Sequence, residues 1–153
     1  MRKFVNHRAE TLKPSGIRKF FDIVSEMKDA ISLGVGEPDF ITPWHIRNAA
    51  IRSVQRGYTQ YTGNRGLPQL RELISRYMHE RFGAEYPANR IIVTVGASEG
   101  IDLTMRAICE AGDEILIPDP GYVSYIPCVQ LSGGTPVPVR CVQDNGFILT
   151  PEA

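Results

Sequence analysis

The stretch Ile91-Ile92-Val93-Thr94-Val95-Gly96-Ala97-Ser98-Glu99-Gly100 constrains the fold more than any other part of this chain. An apolar, β-branched run that passes through small residues into a polar stretch reads as a buried strand turning directly into a helix. The alternation continues downstream. Strands are expected at 91–95, Glu114 to Pro118 and Thr135 to Val139. Helices are expected over about 98–111 and 122–132, closed by Gly112 and by Gly133-Gly134. Strands alternating with helices argue for an α/β fold, with neighbours and directions in the sheet left open.

The first part of the chain reads differently. Lys13-Pro14-Ser15-Gly16 breaks a polar, helix-leaning start, and a short helical pattern follows with Phe20, Phe21, Ile23, Val24 and Met27. Ala30 to Gly36 reads as a short strand running into the turn Glu37-Pro38-Asp39-Phe40. Thr42 as N-cap and Pro43 at the first helical position open a helix with the apolar face Ile46, Ala49, Ala50 and Val54, stopped by Gly57. After a loop from Gly57 to Gly66, a second helix starts near Leu67-Pro68. Its stripe is Leu70, Leu73, Ile74, Tyr77, Met78 and Phe82, and Gly83 ends it.

Composition excludes several classes. The 17 basic and 17 acidic residues cancel, so nothing in the charge favours nucleic acid or an anionic membrane as partner. No apolar run is long enough to span a bilayer, and the first residues lack the apolar core of a signal peptide. Cys109, Cys128 and Cys141 are odd in number and far apart, as expected of reduced thiols in a cytoplasmic core. His7, His45 and His79 are scattered, with no metal-ligand spacing.

The first turn of the helix after Val95 is the candidate site. A helix start carries free N–H groups and a partial positive charge, which suits a phosphate. Gly96 and Ala97 let backbone approach an anion closely, and Ser98 adds a hydroxyl. Many α/β proteins make this turn without a ligand, so the segment alone leaves both readings open. Pro118-Asp119-Pro120-Gly121-Tyr122 follows the next strand, at the end where ligands bind in open α/β sheets. There Tyr122 could stack on a planar ring or simply pack against a helix start.

Five segments taken together carry a resemblance: Ser15-Gly16-Ile17-Arg18; Leu33 to Phe40 with Thr42-Pro43; Tyr61-Thr62-Gly63-Asn64-Arg65-Gly66-Leu67; Val93 to Gly100; and Pro120-Gly121-Tyr122-Val123-Ser124-Tyr125. In this order and spacing the chain resembles the class I/II aminotransferases, pyridoxal-phosphate enzymes of fold type I. The resemblance implies a three-layer α/β/α fold. Residues 1–45 would form an N-terminal arm and small-domain segment, and residues 46–153 the first part of the large cofactor-binding domain. It implies that Gly96, Ala97 and Ser98 cup the phosphate of pyridoxal 5'-phosphate and that Tyr122 stacks on the pyridine ring. It also implies that Gly36 meets the substrate carboxylate through its backbone and that Ile17 lies in a segment closing over the substrate. Tyr61 would reach the cofactor phosphate of the other subunit in a homodimer. The implied substrates are an α-amino acid and a 2-oxo acid. A carbon–sulfur lyase, a decarboxylase or a non-catalytic phosphate- or partner-binding piece are the alternatives.

One component is missing. The family uses a lysine that forms a Schiff base with the cofactor and shuttles a proton, whereas this chain has only Lys3, Lys13, Lys19 and Lys28, all before the phosphate loop. Thr150-Pro151-Glu152 reads as a helix start, so the sequence is expected to be an N-terminal portion whose catalytic lysine lies beyond residue 153, and to be inactive alone. Glu99 stands beside the proposed anion seat, where its charge is unfavourable unless it points away.

Overall fold

A computed structural model describes residues 4–13, 23, 24, 26, 27, 29, 31, 36 and 38–151. The described helices are α1 (His7–Thr11), α2 (Trp44–Gln55), α3 (Pro68–Phe82), α4 (Gly96–Ile108) and α5 (Tyr125–Ser132). The strands are β1 (Glu114–Asp119) and β2 (Thr135–Arg140), and short 3-10 turns span Ala88–Arg90 and Gln143–Asn145. The chain divides into two compact units, one of residues 1–19 with 94–153 and the other of residues 20–93.

In the unit of residues 20–93, Ile23, Val24 and Glu26 are helical, as the apolar pattern there predicts. The strand expected at 30–36 falls almost wholly outside the described residues. Helix α2 begins one residue later than expected: Pro43, not Thr42, is the N-cap, and no side chain caps the helix. Proline fixes its own φ but not its ψ, and here ψ is 140°, so Pro43 stays extended and the helix starts at Trp44. Helix α3 has Pro68 in its first turn and Gly83 as a left-handed C-cap at φ 64°, matching the signals in the sequence. Side chains of α3 hold the following segment: Arg71 Nη1 donates to the Ala88 carbonyl (2.9 Å) and Ser75 Oγ to that of Tyr86 (2.6 Å). The Val93 N–H donates to the Arg65 carbonyl (3.1 Å), which ties the end of the 58–66 loop to the same segment.

The strand expected at 91–95 does not form. Ile91 is extended (φ −103°, ψ 134°), yet these residues join no ladder, and Val95 is 89% exposed. Extended backbone becomes a strand only beside a second row of N–H and C=O groups. None lies alongside among the described residues.

In the unit of residues 1–19 and 94–153, β1 and β2 pair in parallel, Glu114 opposite Thr135 through Asp119 opposite Arg140, joined by α5. The helix ends at Ser132 because Gly133 takes the left-handed φ of 97°. Proline placement makes β2 an edge. N–H groups of odd-numbered residues face β1, as Thr135 N–H to the Asp113 carbonyl (2.7 Å) and Cys141 N–H to the Asp119 carbonyl (2.8 Å) show. Pro136 and Pro138 therefore remove donors only from the outer side, where a further strand would have paired. Among the described residues the core consists of Ile117, Cys128, Val129, Val139 and Cys141, so two of the three cysteines are buried and Cys109 is half-buried. Burial of each large aliphatic side chain contributes about 1.5–3 kcal/mol. The opposite face of β1 is open: Leu116 is 66% exposed.

Candidate phosphate cup and aromatic platform

Helix α4 starts at a bend built by Gly96, whose φ of +79° lies in the left-handed region. A β-carbon there would cost about 1–2 kcal/mol in backbone strain. It would meet no atom within 4 Å, so the space over the bend is open. Thr94 closes the bend from below: its carbonyl accepts from the Gly96 N–H (3.0 Å), and its Oγ1 donates to the Gly96 carbonyl (3.0 Å).

The first four N–H groups of a helix lack partners within it. Here the N–H of Val95, the N-cap, donates to the Glu99 carboxylate, and the Gly96 N–H is used by Thr94. The Ala97 and Ser98 N–H groups remain at the positive end of the helix dipole, where an anion is favoured. Glu99 thus folds back onto the N-cap and ties the bend together. This is a role like the glutamate of a capping box.

Ser98 connects the bend to the loop after β1. Its Oγ lies 2.9 Å from the Tyr122 hydroxyl and 2.8 Å from Ser124 Oγ. Hydrogen bonding by Ser98, then Ser124, holds the Tyr122 phenol below the ordinary tyrosine pKa. The Tyr122 ring is 46% exposed and meets Tyr125 edge-to-face, with centroids 5.6 Å apart at 80°. It lines a cleft of about 280 Å³ with Pro118, Asp119, Gly121 and Val123, at the carboxyl end of β1. Gly121 lets the loop fold this tightly, because a β-carbon there would sit 2.3 Å from the Pro118 carbonyl oxygen. From below, Cys128 Sγ lies 3.8 Å from the Ser98 carbonyl. Burial pushes the Cys128 thiol up, which keeps it a packing group rather than a nucleophile. A second cleft of about 460 Å³ between α4, β1 and α5 is lined by Ala97, Ile101, Met105, Leu116 and Ile117 among others. Apart from the helix start at Ala97, its walls are largely apolar.

Of the residues singled out from sequence, Gly96, Ala97, Ser98 and Tyr122 come together in one unit. Tyr61 and Gly36 belong to the other unit: Tyr61 stands fully exposed on its loop, and a β-carbon at Gly36 would meet nothing within 4 Å. Ile17 lies outside the described residues. Sequence reasoning gives no role to Ser124 or Gly121. The signal for both is their place in the Pro120 to Tyr125 segment, on either side of Tyr122.

Superposition on solved structures identifies this parallel strand pair and its helices as a portion of a fold type I pyridoxal-phosphate-dependent transferase. The aminotransferase class I and II family profile matches residues 28–153, and the chain belongs to that family. It is 51% identical over 98% of its length to YugH of Bacillus subtilis (strain 168), of which it covers 39%. It is 40% identical over 97% of its length to an aspartate aminotransferase of Pyrococcus horikoshii, covering 38% of it. Among solved structures, the Thermus thermophilus aspartate aminotransferase with maleate superposes with a TM-score of 0.89 at 33% identity, over 99% of this chain and 41% of that one. The chain therefore spans about two fifths of the length of the relatives it matches.

Proposed function

We propose that this chain supplies the phosphate-and-ring half of the cofactor site of an aminotransferase that moves an amino group between an α-amino acid and a 2-oxo acid. The observation that supports this best is the link from Ser98 to Tyr122 (2.9 Å), which joins an anion-binding helix start to an aromatic platform. The donor set fits pyridoxal 5'-phosphate. Ala97 and Ser98 N–H with Ser98 Oγ would hold the phosphate, the open space over Gly96 would admit it, and Tyr122 would support the ring. When bound, that cofactor supplies an electron sink for charge developing at the substrate's α-carbon.

The chain's own residues bind and orient. The cup fixes one end of the cofactor, and the platform keeps its ring flat, so that the bond to be broken can stand perpendicular to the ring. Gly36 would orient the substrate carboxylate through its backbone, and Ile17 would close over it. Tyr61, exposed in its own unit, suits a role on the cofactor phosphate of a second subunit in a homodimer. Residues 1–45 would act as arm and small-domain segment, and residues 46–153 as the start of the large domain. No lysine follows residue 28, so proton transfer at the α-carbon by a lysine is assigned to none of these residues. Cytoplasmic residence accords with the three free cysteines.

The test has two parts. Borohydride reduction of this chain with pyridoxal 5'-phosphate is expected to give no unique, stoichiometric pyridoxyl-lysine on peptide mapping. At full family length, a polypeptide carrying this sequence is expected to change the cofactor's visible absorbance with particular α-amino acids. A single stoichiometric lysine in the first assay, or no response to any amino acid in the second, would overturn the reading.

A further inference from the structure

We propose that Ser124 and the Tyr122 hydroxyl act as a pair of positioning groups that fill both lone pairs of Ser98 Oγ and so turn its only proton toward the bound phosphate. The proposal rests on the functional reading above and adds two residues' roles to it. A serine hydroxyl has one proton to donate and two lone pairs to accept with. Ser98 Oγ has two hydroxyl neighbours, at 2.9 Å and 2.8 Å. Three hydroxyls carry three protons, and the two bonds made to Ser98 use two when it accepts both. If Ser98 accepts both, its own proton is the one left over, and it stands on the residue whose N–H already lies at the helix start. If Ser98 donates instead, the spare proton sits on Tyr122 or Ser124, and the cup loses a donor. An anion over Ala97 and Ser98 selects the first arrangement.

The frame around the cluster keeps it in register. Ser124 is half-buried and is the N-cap of α5, with its carbonyl accepting from the Cys128 N–H (3.1 Å). Cys128 Sγ in turn lies 3.8 Å from the Ser98 carbonyl, so the first turns of α4 and α5 are joined at two points. Ser98 therefore need not be ordered at the moment of binding, and its side-chain entropy is spent on folding instead.

Equilibrium binding of pyridoxal 5'-phosphate and of pyridoxal to this chain tests the assignment, since only the first carries the phosphate. In Ser124→Ala the preference for the phosphorylated ligand is expected to fall about three- to tenfold, with pyridoxal affinity unchanged. Tyr122→Phe, which removes the other donor and keeps the ring, is expected to lower the ratio of pyridoxal 5'-phosphate affinity to pyridoxal affinity in the same direction, whatever it does to ring binding itself. It carries the test if Ser124→Ala does not fold. Equal loss of both ligands, or an unchanged preference, would overturn the positioning role while leaving the functional reading intact. A parent chain with no preference for the phosphorylated ligand would overturn both.

Discussion

Gly121→Ala puts the most direct strain on the platform. A β-carbon at 121 would sit 2.3 Å from the Pro118 carbonyl oxygen and 3.4 Å from Tyr125 Cδ2. The obstructing oxygen is backbone at the end of β1, so no flexible side chain can yield. Restoring ordinary contact, which begins near 3.4 Å, needs a shift of about 1 Å in the loop or the strand end. Such a shift stretches the Tyr122–Ser98 hydrogen bond, now 2.9 Å, past the limit of useful interaction. Overpacking of this kind costs about 1–3 kcal/mol. If that cost falls on the bound arrangement, affinity for pyridoxal 5'-phosphate drops about 5- to 150-fold. Fluorescence titration of parent and variant measures it, with circular dichroism to verify that the secondary structure is retained. A folded Gly121→Ala chain with parental affinity would refute the reasoning, because it would show that Tyr122 can move freely without consequence for the ligand.

Other consequences follow from the same geometry. Gly96→Ala meets no neighbouring atom but must hold a left-handed φ of 79°, so it is expected to lose about 1–2 kcal/mol of cup stability; isothermal titration with the cofactor should show about a 5- to 30-fold weaker complex. Tyr122→Ala at full family length is expected to weaken cofactor retention through gel filtration, and undiminished retention would make Tyr122 a packing residue only. Tyrosinate absorbance, taken as the difference between parent and Tyr122→Phe, is expected to show Tyr122 ionising below the ordinary 10.0, because Ser98 and Ser124 donate to its charged form. Burial and the neighbouring Cys128 act in the opposite sense but more weakly. Ser98→Ala should move that ionisation upward. Phosphate-dependent affinity should fall as pH rises through it, since the Ser98 proton then turns to the phenolate and a negative charge appears beside the seat.

The features legible in the sequence are those set by local backbone chemistry. Gly83 and Gly133 end their helices because only glycine accepts a left-handed cap without strain, and that is visible one residue at a time. The strands at 114 and 135 are readable from their apolar runs, although their parallel pairing is not. Residues 91–95 have the same apolar, β-branched character and form no strand, because a ladder depends on a partner that a local pattern cannot supply. At Thr42-Pro43 two helix-start signals compete, and proline's extended ψ moves the boundary to Trp44. The bend at Gly96 that opens the helix follows from small residues after an apolar run. What stays hidden is its support. Ser124 reaches Ser98 across 26 residues of chain, and the role of Glu99 depends on which way its side chain folds. Neither is a property of spacing.

Backbone amide signals of Ala97 and Ser98 report on the anion seat most directly. In ¹⁵N–¹H spectra of the isotope-labelled chain titrated with pyridoxal 5'-phosphate, both are expected to shift progressively downfield, while Val95 and Gly96, whose N–H groups are already engaged, move less. Saturation of the Ala97 and Ser98 shifts would support the account. Binding that leaves those two amides unmoved would contradict it.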